Sequence, residues 1–394
     1  MRLKTLTILL LISTLPLAAG KAQVKKLSQR AKISLLTCGP GEAVWSKFGH
    51  SALWVFDPQV GIDRVYNYGT FEFYSNDFYF QFVKGTANYR LSITNYLNFH
   101  DEYEEENRFI KAQELNLTDA EKLILYKKLE DNYKPENRYY RYDFLFQNCS
   151  SLIRDIVWEA TSGRYSIAEE SEPRHSYRSM MVPYLSPSPW LMQGEFILLG
   201  YKTDHDATPW DQMYLPDFMF NWFDLALNSE GESLVRNTQT MFLPKGDESK
   251  KSFLTHPNFI LPVILLLTMV LTYLEIKRRK NFWFIDSFIF LISGLLGILM
   301  IFTWTSSLHL VLHQNMNLVW AFPFHLLLAF TIWIKRANKI VRTYARIMAP
   351  ITLLFVLFFW LLPQAIPFSA VFTSGIILIR LLRRAEYPIL SKID

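Results

Sequence analysis

Short apolar runs broken by turn residues fill the early part of the chain, whereas long apolar stretches crowd its last third. Residues 33–37 end at Cys38-Gly39-Pro40-Gly41, residues 52–56 end at Asp57-Pro58, and residues 65–68 stop at Gly69. Such runs predict a small antiparallel sheet. Thr118 with Glu121 makes a T-x-x-E capping box ahead of a helix running toward Asn132, and Pro135 closes it. Tyr140, Tyr142, Phe144 and Phe146 then alternate with Arg141, Asp143, Leu145 and Gln147, a period of two that leads into Cys149. After it the period changes: Leu152, Ile153, Ile156, Val157 and Ala160 recur at three and four, and position 149 falls on the same stripe. A cysteine therefore opens a helix, on its buried face and in the positive end of its dipole.

The two ends of the chain set its location. Arg2 and Lys4 precede an apolar run over 6–17 and the small residues Ala18, Ala19 and Gly20, the layout of a secretory signal peptide over 1–22. No cysteine follows at the cleavage region, so the chain does not itself read as a lipoprotein. Residues 23–255 are expected to be one exported domain and residues 256–394 a transmembrane domain of about five helices: 259–274, 282–303, 318–334, 347–362 and 368–382. The second stretch is long enough for a bilayer; the others sit at or below the usual minimum of about 17 residues, so tilt or a re-entrant segment is allowed for. Lys277 to Lys280, the basic residues between Lys335 and Arg346, and Arg383 with Arg384 follow the first, third and last stretches. By the positive-inside rule these are cytoplasmic, with the C-terminus, and the large domain lies on the other side of the membrane.

The chain is 50% hydrophobic, and most of the excess lies after His256. Its net charge of +5 has the same origin, because thirteen Lys and Arg face four acidic residues after His256, leaving that part +9 and the rest −4. The basic balance is thus membrane topology, and nucleic-acid binding has no support.

Candidate chemistry centres on Cys149 and His50, since a thiol reacts as thiolate and is activated by a neighbouring imidazole and a helix N-terminus. Such a base needs a third group to fix its tautomer, and Asn67 on the next strand is the candidate. Gln147, Asn148 and the backbone N–H of Cys149 are candidate oxyanion donors, with helix capping as the plain alternative for Asn148. A structural Cys38–Cys149 disulfide is the plain alternative for the two cysteines. Asp204-His205-Asp206 reads as a solvated loop, and no metal or other cofactor is implied. His309, His313, Asn315, Asn317 and Trp320 are placed at the outer membrane interface, as candidate contacts to lipid head groups. Asp286 and His325 lie within apolar spans and are functional candidates by default, Asp286 near a wet cytoplasmic end.

A His on a strand after a Gly-rich loop, followed about a hundred residues later by Asn-Cys at a helix start, resembles the circularly permuted papain-like group that includes lecithin retinol acyltransferase. More specifically, Thr37-Cys38-Gly39-Pro40-Gly41, Ser46-Lys47-Phe48-Gly49-His50-Ser51-Ala52, Val65-Tyr66-Asn67-Tyr68-Gly69-Thr70-Phe71, Pro135-Glu136-Asn137-Arg138 and Asn148-Cys149 resemble the periplasmic domain of Lnb-type bacterial lipoprotein N-acyltransferases. The resemblance implies an α+β permuted papain-like exported domain followed by an all-α multi-span transmembrane domain. It also implies transfer of an acyl chain from a membrane phospholipid, through a Cys149 thioester, to the α-amino group of a diacylglyceryl-cysteine apolipoprotein. Two other readings of the same residues stay open: a membrane-tethered NlpC-type cell-wall peptidase or amidase, and a non-enzymatic lipid-binding or assembly module with a Cys38–Cys149 bridge.

Overall fold

A computed structural model describes residues 26–71, 77–167, 175–246 and 253–386, so the signal segment lies outside the described residues. The N-terminal domain is mixed α+β around a seven-stranded antiparallel sheet. Its strands are β1 (Lys32–Cys38), β2 (His50–Asp57), β3 (Ile62–Thr70), β4 (Asn88–Thr94), β5 (Ile110–Leu115), β6 (Tyr139–Arg141) and β7 (Val235–Phe242). They run in the order β7-β5-β1-β2-β3-β4-β6.

Helix α1 (Phe78–Lys84) lies between β3 and β4, α2 (Tyr96–Glu105) follows β4, and α3 (Asp119–Tyr133) and α4 (Cys149–Ala160) precede and follow β6. Alternation puts Ile33, Leu35, Leu53, Val55, Tyr66 and Tyr68 on one face, packed against Leu125 and Leu129 of α3 and Ile153 and Val157 of α4. Leu36, Cys38, Ala52 and Val65 point the other way and pack on Phe99 and Tyr103 of α2. With both faces covered, β1 is buried along almost its whole length.

The expected Thr118–Glu121 capping box starts α3, with both reciprocal bonds formed. The period-two run over 140–147 is a strand only at its beginning. Asp143 Oδ1 accepts from the backbone N–H groups of Leu145 and Phe146, each at 3.0 Å, and closes the segment into a turn.

The membrane part consists of α5 (Pro257–Lys277), α6 (Trp283–Ser306), the short α7 (His325–Thr331), α8 (Asn338–Phe358) and α9 (Phe368–Ala385). Among the described residues three helices are long and apolar enough to cross a membrane: Pro257–Lys277, Trp283–Ser306 and Lys335–Leu361. Two of the five expected stretches are not among these three. The stretch 318–334 is broken into a turn over Met316–Val319 and α7, separated by Pro323, which cannot donate to a helix ladder. The last stretch forms α9 but carries Arg380, fully buried, with Arg383 and Arg384 in its final turn. The expected basic connection over 335–346 is itself largely helical.

Arg380 donates to Thr272 Oγ1 at 2.6 Å and Glu275 Oε2 at 2.7 Å, and also to Asp286. Arg384 joins through Asp286. Asp286 and Glu275 are both fully buried, so the wet environment expected for Asp286 is replaced by an ion cluster joining α5, α6 and α9.

Candidate active site

β2 begins at His50, and β3 carries Asn67 on the same side of the sheet as His50. Asn67 Oδ1 lies 3.3 Å from Nε2 of the His50 ring. A carboxamide oxygen can only accept, so Nε2 carries the proton and Nδ1 is the nitrogen left for the thiol. The flat face of the same ring stacks on Tyr103 of α2, with centroids 6.4 Å apart and 14° between planes.

Cys149 is held at the start of α4 by the residue before it. Asn148 Oδ1 accepts from the N–H groups of Ser150 and Ser151, at 2.9 and 2.8 Å, while its amide donates to the carbonyls of Phe144 and Tyr214, at 2.7 and 2.9 Å. Both amide hydrogens are thereby engaged, which corrects the expectation that Asn148 offers a donor to an oxyanion: it is a helix cap and a loop clamp. Gln147 is exposed, and its backbone pairs with Asp143. Leu152 N donates to Asn148 O, so of the first four N–H groups of α4 the one at Cys149 itself remains for a ligand.

α4 is pinned to β2 by the buried Ser51–Ser150 pair, whose hydroxyl oxygens are 3.0 Å apart. Gly69 sits beside the dyad at φ +101°, and a Cβ there would lie 3.8 Å from Cys149 Cβ and 3.9 Å from His50 Cε1. Only glycine adopts that backbone readily, so the turn that brings β3 against the dyad needs a glycine there. Beyond them is a cleft of about 400 Å³ lined by His50, Asn67, Gly69, Tyr103 and Arg108, with Trp45 and Phe71 at its apolar side.

Electrostatics separate the two cysteines, which are both free thiols, so the disulfide weighed from their number is not formed. Burial pushes the Cys38 thiol well up, out of the range in which it ionises near neutrality. Burial also pushes Cys149 up, but the charge and hydrogen bond of His50, the Ser51 N–H and the Ser150 hydroxyl bring it below its ordinary value. For His50, burial disfavours the cation, and the Cys149 sulphur together with the Asn67 bond more than offsets this, so its pKa is raised. Both shifts favour a thiolate on Cys149 beside an imidazolium on His50, an arrangement suited to nucleophilic attack at a carbonyl. Ser51, Gly69 and Tyr103 were assigned no role from the sequence; Ser51 and Gly69 lie beside assigned residues, but Tyr103 is brought in only by the packing of α2 on the sheet.

Of the residues expected to touch lipid head groups, His309, Asn315 and Asn317 join the two domains instead. His309 is 5% exposed, with Nε2 at 2.9 Å from Phe82 O and Nδ1 at 3.5 Å from Asp143 Oδ2. His313 Nε2 meets Ser307 O at 2.9 Å. Asn315 donates to the carbonyls of Ile197 and Leu198, Asn317 donates to Ile197 O, and Trp320 Nε1 donates to Asn317 Oδ1. Asn315, Asn317 and Trp320 are buried, and backbone carbonyls of the N-terminal domain accept from the two asparagine amides. Asp143 turns the loop leading to Cys149, so its contact with His309 ties that loop directly to the membrane part. Asp204 is paired with Arg178 at 2.8 Å, and His205 Nδ1 lies 3.2 Å from Lys202 O. His325 is fully buried, with Nδ1 2.9 Å from Ser293 Oγ.

No curated protein and no solved structure matches the chain. Residues 21–182 match the Lnb N-terminal periplasmic domain, and residues 248–387 match the Lnb transmembrane domain. Between them the two matches take in both the cysteine-histidine site and the membrane helices, in the same order along the chain, and the protein belongs to the Lnb family.

Proposed function

We propose that the protein is a lipoprotein N-acyltransferase working by a Cys149 thioester, with a permuted papain-like catalytic domain in the periplasm held on inner-membrane helices. The observation that carries this reading is the alignment of Asn67, His50 and Cys149, in which the thiol is lowered, the imidazole raised, and the N–H at the helix start left available. Family membership supports the substrate class, since Lnb proteins are lipoprotein N-acyltransferases.

The Cys149 thiolate attacks the ester carbonyl carbon of a phospholipid, and the backbone N–H of Cys149, with exposed Gln147 as a second donor, stabilises the oxyanion. The carbon–oxygen ester bond breaks, and the leaving alkoxide takes the proton held on His50 Nδ1, releasing lysophospholipid. The neutral α-amine of a diacylglyceryl-cysteine lipoprotein then attacks the thioester. Its proton passes to His50, the carbon–sulphur bond breaks, and the amide forms. Asn67 keeps Nε2 protonated throughout, so Nδ1 is always the working nitrogen. A membrane-held domain suits this chemistry because both substrates are lipids and meet it at high effective concentration.

The test is reconstitution of the full chain with phospholipid and a diacylglyceryl-cysteine peptide. An acyl-amide product that depends on Cys149 and His50 is expected. Cleavage of cell-wall peptides without acyl transfer would replace this reading with the peptidase one.

A further inference from the structure

α1 carries the sequence Phe78-Tyr79-Phe80-Gln81-Phe82-Val83-Lys84 and buries none of it. Tyr79 is 67% and Phe80 57% exposed. A short helix that presents aromatic rings outward needs something apolar to cover them.

Its position says what that is. Three carbonyls of α1 are tied to the end of α6 and the segment after it: Phe82 O to His309 Nε2 at 2.9 Å, Val83 O to Ser307 Oγ at 2.7 Å, and Lys84 O to Leu308 N at 2.9 Å. Phe80 packs on Phe302 of α6 with ring centroids 5.9 Å apart. Gly85 ends the helix at φ +74°, where a Cβ would lie 3.1 Å from both the His309 backbone nitrogen and Leu308 Cβ, so a glycine is what lets α1 approach so closely. Helix α6 is one of the three candidate spans, and Ile298, Ile301 and Trp304 are exposed on its last turns. α1 therefore extends the exposed apolar surface of a candidate membrane helix.

From α1 the aromatic surface continues inward. Phe78 stacks on Phe71, with centroids 5.1 Å apart and 15° between planes, and Phe71 meets Trp45 edge-on at 6.3 Å. Phe71 and Trp45 both line the cleft that contains His50.

We propose that α1 is immersed in the membrane interface and that Phe78, Phe71 and Trp45 form a track along which an acyl chain of the donor phospholipid passes from the bilayer to the cleft. The proposal rests on the phospholipid-donor reading above. Exposed Lys84 at the end of α1 would lie at the depth of lipid phosphates, as basic residues beside interfacial aromatic helices do.

Two measurements on full-length protein in phospholipid nanodiscs test it. With a photo-crosslinking benzoylphenylalanine in place of Phe80, phospholipid adducts are expected; crosslinks only to a second copy of the chain, or none, would overturn the membrane contact. For Phe71→Ala, the rate of Cys149 acylation by long-chain phospholipid is divided by the rate with a short p-nitrophenyl ester. Loss of one aromatic contact should lower that ratio by about tenfold. An unchanged ratio, including one in which both rates fall together, would overturn the track. Failure of the donor reading shows elsewhere: the wild-type enzyme would take acyl from the short ester and never from phospholipid.

Discussion

Asn67 Oδ1 and His50 Nε2 face each other at 3.3 Å, which leaves Nδ1 as the ring nitrogen for the Cys149 thiol. Everything expected of the site follows from that orientation and from the proton it allows to leave the thiol.

The thiol of Cys149 is lowered, so it loses its proton below the ordinary thiol range; His50 is raised, so it keeps its proton above the ordinary imidazole range. Both shifts favour the thiolate–imidazolium pair, so the acid limb of the activity profile should lie below the ordinary thiol value and the basic limb above the ordinary imidazole value. Alkylation of Cys149 by iodoacetamide should accordingly titrate below the free-thiol value of about 8.5. In His50→Ala only burial, Ser51 and Ser150 remain, and the titration should move upward. Cys38, pushed up by burial, should stay unmodified over the same range. An unmoved titration in His50→Ala would remove the imidazole as the source of the shift.

Asn67→Ala should lower turnover by about 10- to 100-fold, the usual effect of losing a group that orients a histidine through its second nitrogen. His50→Ala should be more severe. The comparison is made on protein with native protease resistance, so that folding is not confused with catalysis. Equal loss in the two variants would make Asn67 more than a positioning group.

Asn148 is expected to act through stability. Asn148→Ala removes the cap of α4 and two donors to loop carbonyls, which should cost about 2 kcal/mol or more. Thermal unfolding of the variant measures this directly. A full-stability variant with no activity would instead assign its amide to the reacting oxyanion.

Arg380→Ala leaves Glu275 and Asp286 buried without their central partner and should destabilise the membrane domain by about 3–5 kcal/mol. Unfolding in detergent reads the loss. Arg383→Ala, at a partly exposed position with a 3.4 Å contact to Glu275, should cost much less.

The central strands, the α3 cap and the helix that starts at Cys149 were legible in the sequence because each rests on local pattern: β-runs ended by Gly and Pro, a capping box, and a change of period. The cysteine-histidine pair and Asn67 were legible for the same reason, being placed at the ends and middle of those elements. Strand β7, with an exposed and polar Val235–Phe242, shows no alternation to find, since it pairs at the sheet edge through its backbone. His309, Asn315 and Asn317 were misplaced at a lipid interface because polar residues between apolar spans look alike whether they meet head groups or the carbonyls of another domain. Arg380 was hidden for a related reason. Its neutralising partners, Glu275 and Asp286, lie about a hundred residues earlier and meet it only after the helices pack.

The most direct test of the account is intact mass spectrometry of purified enzyme given phospholipid and no acceptor. One acyl chain should accumulate on Cys149 with release of one lysophospholipid, as double displacement requires. Neutral hydroxylamine should remove that chain, and a diacylglyceryl-cysteine peptide with a free α-amine should discharge it into an amide that hydroxylamine leaves intact. An enzyme that transfers acyl chains yet never carries one on Cys149, even at the shortest times, would contradict the thioester mechanism.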